Sequence, residues 1–127
     1  MSIERLGFYA FYGTLRRGME NHLVFAETLV FLKTVDLTGY RMHSLVEYPY
    51  VVHTNSPGDH ILVDLFRITS FETEQMIYGM EIDAGYIRST IDIDGNKFGI
   101  YVFAAEGPGD VYLPDGDWVR HTLGQFF

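Results

Sequence analysis

Short apolar runs that end at turn residues follow one another along the whole chain, and this pattern predicts a fold built mainly of strands. The runs are rich in aromatic and β-branched residues, which favour strands, and turn residues separate them. Asp94-Gly95 lies between two such runs, at residues 86–94 and 97–105, and this dipeptide is typical of a tight hairpin turn. The thirteen glycines and the 16% share of aromatic residues agree with a sheet-rich body with tight turns.

Helices are predicted where a capping residue precedes a suitable run. Ser70 can cap a helix in which Glu72 and Glu74 favour the positive end of the helix dipole. Asn21 and Asp117 are candidate caps of two shorter helices, at residues 21–26 and 118–123. We therefore expect two or three short helices between the strands.

The remaining strands complete the predicted architecture. They are residues 8–12, 29–37 with a bent continuation to 42, 50–52 and 61–68, and Gly39 marks the bend. Strands at both ends of the chain with helices between them indicate an α+β fold. We predict a mostly antiparallel, strongly curved sheet or a small β-barrel.

Length and charge limit the classes of partner. The 127 residues fit one domain, so we expect residues 1–127 to form a single domain. The formal net charge of −8 argues against a nucleic acid or an anionic membrane as partner, because both attract clustered lysine and arginine. The sequence has no cysteine, which excludes disulfides, thiolate metal sites and cysteine nucleophiles. Its five histidines form no i, i+4 helical pair, so no metal site is predicted.

The expected location is the cytoplasm, because no targeting segment and no long apolar stretch is visible.

The candidate site lies directly after the first predicted strand, at Tyr12-Gly13-Thr14-Leu15. A glycine at this place lets backbone N–H groups turn outward and meet a small anion. The arginines that follow, Arg16 and Arg17, either attract an anionic substrate or form an exposed pair in a solvated turn. The residues alone leave both interpretations open.

The segment Tyr12-Gly13-Thr14-Leu15 resembles the Tyr-Gly-Ser/Thr-Leu signature of the γ-glutamylcyclotransferase-like superfamily. This superfamily includes the AIG2-like proteins and the γ-glutamylamine cyclotransferases. Other parts of the chain resemble family segments in the right order, namely Gly39-Tyr40-Arg41-Met42, Tyr48-Pro49, Val63-Asp64-Leu65-Phe66, Gly85-Tyr86-Ile87-Arg88, Tyr101-Val102-Phe103 and Gly116-Asp117-Trp118. The resemblance therefore covers nearly the whole chain.

The resemblance implies a binding role for the loop after the first strand. In the family, this loop cradles the α-carboxylate of a γ-glutamyl group, which assigns Gly13, Thr14 and Leu15 to substrate binding. Tyr12 and Tyr101 are expected to line the same pocket, although strand aromatics also fit an ordinary core.

The resemblance also implies a proton-transfer residue. The family places a glutamate just after the central helix and before the Tyr-x-Arg strand as general acid/base, and Glu81 stands at that place. Asp83 is the nearest substitute carboxylate. Arg88 matches a family residue for which we expect a structural role as partner of a carboxylate, and Trp118 is expected to anchor the last helix.

The function implied is the conversion of a small γ-glutamyl amine or amide to 5-oxoproline and a free amine. Attack by the substrate's own α-amine needs no protein nucleophile, so no metal or organic cofactor is expected. We expect a monomer or a weak homo-oligomer with a small-molecule partner. Ile82 replaces the glycine often found after the family glutamate, which favours a non-catalytic small-ligand binding protein as the alternative. An acyl-removing step in a biosynthetic pathway, by the same cyclisation, is a third interpretation.

Overall fold

In the computed structural model, which describes residues 3–124, eight strands and three α-helices confirm the predicted α+β class. The predicted domain of residues 1–127 thus extends past the described part at both ends. The strands are β1 (Phe8–Phe11), β2 (Leu29–Thr38), β3 (Tyr40–Ser44), β4 (Pro49–His53), β5 (His60–Ile68), β6 (Ile87–Ile93), β7 (Asn96–Val102) and β8 (Val111–Leu113). The helices are α1 (Glu20–Phe25), α2 (Phe71–Asp83) and α3 (Trp118–Gly124), and a 3₁₀ turn (Ala26–Thr28) follows α1.

The strands form two sheets. The larger sheet has the order β2-β5-β1-β7-β6, and the smaller has the order β4-β3-β8. Neighbouring strands are antiparallel except β1 and β7, which pair in parallel with Tyr9 opposite Gly99. The sequence prediction of a mostly antiparallel sheet is therefore confirmed.

Of the two predicted forms, a curved sheet or a small β-barrel, the barrel is wrong, because both sheets are open in the described part of the chain. The bend expected at Gly39 explains the difference. Its φ of 86° lies in the left-handed region, and the chain there passes from β2 in the larger sheet to β3 in the smaller one. The strands are thereby divided between two sheets instead of continuing around one.

Local capping and turn signals agree with the structure. The Ser70 hydroxyl accepts from the N–H of Thr73 at 3.3 Å at the start of α2. Asp94 and Gly95 both have positive φ in the turn between β6 and β7, as a tight hairpin requires. No helix within residues 3–124 is long and apolar enough to cross a membrane.

Two elements differ from the prediction. No strand was predicted at residues 111–113, but these residues pair with β3 as the short strand β8. The N-cap of α1 is Met19, which provides no side-chain cap, whereas the amide of Asn21 donates to the Thr14 hydroxyl. In both places hydrogen bonds to residues outside the element decide the local structure.

The last helix packs on the core as expected. Trp118 is 1% exposed and belongs to the main cluster of buried apolar residues. Gly116 allows the chain to reach this position, because a Cβ there would overlap the carbonyl oxygen of His60. The Gly116 carbonyl accepts from the N–H of Leu62, so the segment before α3 is tied to β5.

Candidate active site

One cavity of about 620 Å³ opens where the end of β1 approaches the last turns of α2. The residues that the sequence predicted for a site all line it: Tyr12, Gly13, Thr14, Leu15, Glu81 and Tyr101. The fold thus brings together groups that are 89 positions apart in the sequence. Asp83, the substitute carboxylate, is exposed at the end of α2 and does not line the cavity.

The loop after β1 is fixed by its own hydrogen bonds. The N–H of Arg16 donates to the Gly13 carbonyl, and the N–H of Asn21 donates to the Thr14 carbonyl, each at 3.0 Å. The Asn21 amide also donates to the Thr14 hydroxyl at 2.7 Å. Within residues 3–124, the backbone N–H groups of Thr14 and Leu15 donate to no protein acceptor. Both residues line the cavity.

Gly13 is required by a close approach between this loop and β4. A Cβ at this position would lie 2.9 Å from Cγ of Pro49, which is shorter than carbon atoms tolerate. Pro49 is itself held in place, because its carbonyl accepts a short hydrogen bond from the Tyr86 hydroxyl. Gly13 therefore sets how closely the loop and the wall of the cavity approach each other.

Arg16 is buried, so the interpretation of Arg16 and Arg17 as an exposed pair is wrong for Arg16. Its guanidinium lies 2.9 Å from Asp117 and 3.4 Å from Asp64, and the Asp64 carboxylate also accepts from the N–H of Arg17 at 2.8 Å. The ion pairs with Asp64 on β5 and with Asp117 therefore stabilise the buried position of Arg16. Arg17 is exposed and its guanidinium lies over the ring of Phe31. Neither arginine lines the cavity.

Glu81 lies on the last turns of α2, partly buried in the cavity wall. No ion pair or hydrogen bond in the described part of the chain involves its carboxyl group. Burial raises the pKa of Glu81 from 4.5 to about 7. Burial also raises the pKa of Tyr12 and of Tyr86, and the charge of Glu81 adds to both effects. The carboxyl group therefore titrates close to neutral pH, as an acid–base catalyst requires.

Two tyrosines form the buried end of the cavity. The Tyr12 hydroxyl donates to the Tyr101 carbonyl at 2.6 Å, so it is already satisfied. The Tyr101 side chain is 3% exposed, and its hydroxyl forms no hydrogen bond of good geometry with any described residue. It lies near the Tyr9 side chain, and burial raises the pKa of Tyr101 well above its usual value.

A buried ionic network lies next to this end. Glu74 is 1% exposed and accepts from the N–H groups of Leu6 and Gly7 and, at 2.6 Å, from the Tyr9 hydroxyl. Arg88 lies 3.5 Å from the same carboxylate and donates to the Tyr9 hydroxyl at 3.0 Å. The predicted structural role of Arg88 is confirmed, whereas the sequence had assigned Glu74 only to the helix end.

Other residues that line the cavity were not predicted as site residues. Glu20 begins α1, Glu47 and Tyr48 lie in the turn before β4, and Met80 precedes Glu81. The sequence did indicate part of this cavity wall, because Tyr48-Pro49 resembles a segment of the family. Nothing in the sequence indicated that Glu20 faces the same space. Among residues 3–124, no group of three or more acidic, histidine or cysteine side chains is placed to hold a metal ion.

The sequence model of the gamma-glutamyl cyclotransferase, AIG2-like family matches residues 9–120. The chain belongs to this family. The match includes both the loop after β1 and Glu81, so the resemblance recognised in the sequence is confirmed. A search among curated proteins finds no match to the chain.

Solved structures agree with the family at the level of the fold. An uncharacterized protein from Pyrococcus horikoshii has a TM-score of 0.77 and 24% identity over 94% of this chain and 95% of that one. A uropathogenic E. coli-specific protein has a TM-score of 0.72 and 22% identity, covering 95% and 98% of the two chains. An AIG2-like protein from Mus musculus has a TM-score of 0.64 and 16% identity, covering 90% of each. At these identities the likeness shows the cyclotransferase-type fold.

Proposed function

We propose that the protein is a cyclotransferase that converts a γ-glutamyl amine or amide into 5-oxoproline and the free amine. The observation that carries this proposal is the carboxyl group of Glu81, which titrates near neutral pH in the same cavity as the free N–H groups of Thr14 and Leu15. Membership in the gamma-glutamyl cyclotransferase, AIG2-like family supports the same reaction class.

The reaction joins two atoms of one substrate molecule. The α-amine attacks the γ-carbonyl carbon, a C–N bond closes a five-membered ring, and the bond to the leaving nitrogen breaks. Two protons pass from the α-nitrogen to the leaving nitrogen, which departs as an ammonium ion. A carboxylate between the two nitrogens accepts a proton from the first and returns one to the second, and in this proposal Glu81 has that role.

The loop after β1 supplies the binding energy and the geometry. Its free N–H groups hold the α-carboxylate, so the α-amine is oriented toward the γ-carbonyl. Holding the reacting atoms of one molecule together contributes several kcal/mol to such cyclisations, about 7–11 kcal/mol in well-oriented cases. Tyr101 lines the buried end of the cavity. Correct orientation of the substrate and one side chain that carries the proton are sufficient for this cyclisation.

Incubation with a panel of γ-glutamyl amines, γ-glutamyl amino acids and glutathione tests the proposal, with 5-oxoproline measured by mass spectrometry. We expect 5-oxoproline in equal amount to the amine released. Binding of a γ-glutamyl compound without release of 5-oxoproline would instead support a small-ligand binding protein. The identity of the leaving group that is released separates the proposed function from the acyl-removing step of a biosynthetic pathway.

A further inference from the structure

The loop after β1 begins with a closed turn. The N–H of Arg16 donates to the Gly13 carbonyl at 3.0 Å, so Gly13 and Arg16 are the first and last residues of a β-turn. Thr14 and Leu15 are its two central residues, and their N–H groups donate to no acceptor within residues 3–124. The position of Arg16 therefore sets the shape of the turn that carries these two groups.

Two carboxylates outside the cavity hold the end of this turn. Asp64 on β5 is 3% exposed, and its Oδ2 accepts from the N–H of Arg17 at 2.8 Å and lies 3.4 Å from Nε of Arg16. Asp117 accepts from the Arg16 guanidinium at 2.9 Å and from the N–H of Arg120 at 3.1 Å, so it joins the turn to α3. None of these residues lines the cavity, so their effect on a bound molecule is indirect.

The position of Asp64 is fixed independently of the turn. Its other oxygen, Oδ1, accepts from the Thr34 hydroxyl on β2 at 2.7 Å. The two strands pair in the larger sheet, with Thr34 opposite Asp64. A buried charge is stable only when it is paired and hydrogen-bonded, and Asp64 meets both conditions. The sheet thus provides the fixed point to which the end of the turn is attached.

We propose that Asp64 is a positioning residue for the anion-binding turn. It attaches Arg16 and Arg17 to the larger sheet. This attachment orients the N–H groups of Thr14 and Leu15 toward the α-carboxylate of the substrate. The inference rests on the proposed function and adds the part of the fold that maintains the binding geometry.

Two synthetic substrates separate positioning from general stability. They are γ-glutamyl-n-butylamide, which has a free α-carboxylate, and its α-carboxamide analogue, which is neutral at that place. A defect in the turn lowers kcat/KM for the acid more than for the carboxamide, because only the acid forms charge-assisted hydrogen bonds with the turn. A general loss of stability lowers both by the same factor. The readout is therefore the ratio of the two kcat/KM values, measured by release of n-butylamine.

Asp64→Asn is the decisive variant. It keeps the volume and one acceptor oxygen but removes the charge that pairs with Arg16. We expect it to lower the acid-to-carboxamide ratio about tenfold or more, mainly through KM of the acid, since a hydrogen bond to a charged group contributes roughly ten- to a hundredfold. The matched control is Ile68→Val, a buried position at the end of β5 that lies outside the cavity, and it should leave the ratio unchanged.

Arg16→Lys is the second variant, for the case that Asp64→Asn does not fold. A lysine keeps the buried positive charge, but its ammonium group cannot reproduce the contacts of the guanidinium with both carboxylates. It should lower the same ratio by a smaller factor. An acid-to-carboxamide ratio equal to that of the parent in the folded variant overturns the proposal, whether or not both kcat/KM values fall.

The failure of the proposed function has a different signature. If the parent releases no amine from either compound, the positioning role is judged from their Kd values by calorimetry, while the cyclotransferase proposal depends on the panel of γ-glutamyl compounds. Tighter binding of the acid than of the carboxamide in the parent, lost in Asp64→Asn, supports the role. Equal Kd values in the parent, no binding of either compound, or a preference for the acid that survives the substitution overturns it.

Discussion

Replacing Glu81 with glutamine removes the proposed proton carrier and leaves the shape of the cavity nearly unchanged. Glutamine forms hydrogen bonds but cannot accept the proton of the α-ammonium. Loss of general acid–base catalysis typically lowers a rate by about 10²–10⁴. We expect Glu81→Gln to lower kcat for 5-oxoproline release by that factor. The Kd of a γ-glutamyl compound should change little, because the N–H groups of Thr14 and Leu15 remain.

The same variant also tests the raised pKa through the stability of the fold. Since burial raises the pKa of Glu81 from 4.5 to about 7, the folded protein holds this proton more tightly than the unfolded chain. The stabilisation of the fold by this bound proton is fully present below pH 4.5 and is lost as the pH rises to 7. The free energy of unfolding therefore decreases across this pH range. At about 1.4 kcal/mol per pH unit the loss is roughly 3 kcal/mol, and partial exposure of the side chain reduces it to about 1–2 kcal/mol.

Urea unfolding of the parent and the variant at pH 4.5 and pH 8 measures this effect. Between pH 4.5 and pH 8, we expect the free energy of unfolding of Glu81→Gln to rise by about 1–2 kcal/mol relative to that of the parent. The contributions of the other titrating groups are the same in both proteins and cancel in this difference. The kinetic counterpart is the pH profile of kcat/KM, which should rise with an apparent pKa of about 7. Asp83→Asn is the matched control, because Asp83 is exposed on the same helix and lies outside the cavity.

Two results would refute this reasoning. A Glu81→Gln variant that releases 5-oxoproline near the parent rate has lost nothing essential, and a concurrent loss of activity in Asp83→Asn would make Asp83 the proton carrier. A stability difference between parent and Glu81→Gln that does not depend on pH would show that the pKa of the carboxyl group is not raised by the fold.

The remaining predictions concern the supports of the site. Esterification of the substrate α-carboxylate should weaken binding at least tenfold by calorimetry, since a neutral ester loses charge-assisted hydrogen bonds of about 1.5–3 kcal/mol, and equal affinity of ester and acid would contradict binding by the loop. Gly13→Ala should destabilise the fold by about 1–3 kcal/mol in urea and raise KM, because its Cβ meets Pro49; an unchanged midpoint and KM would contradict this role. Glu74→Gln should lower the free energy of unfolding by about 3–5 kcal/mol, because it leaves Arg88 without its charge partner. A decrease of less than about 1 kcal/mol would show that the pair contributes little to stability.

The sequence alone determined the features that depend on neighbouring residues. Ser70 predicted the start of α2 because its hydroxyl satisfies an N–H of the first turn, and Asp94-Gly95 predicted the hairpin because few other residues tolerate positive φ. The family was recognisable because its segments occur in order along the chain. Glu81 and the residues Tyr12 to Leu15 could be chosen in this way without knowledge of the cavity.

The tertiary structure decided the features that depend on contacts between distant residues. Val111–Leu113 is a strand because β3 offers it a free edge, which no local pattern of three residues can reveal. Arg16 is buried because Asp64 on β5 and Asp117 before α3 receive its charge, although an arginine in a glycine-containing loop is exposed in most proteins.

The electrostatic character of the site also belongs to the tertiary structure. Glu81 has a pKa of about 7 because the packing of β1, β7 and α2 removes water from its carboxyl group, and the sequence does not show how much water a side chain loses. Glu20 and Glu47 are 27 positions apart in the chain, and it is the fold that places both on the wall of one cavity. The proposed acid–base group was therefore visible in the sequence, whereas its ionisation and the charge of the cavity wall depend on three-dimensional packing.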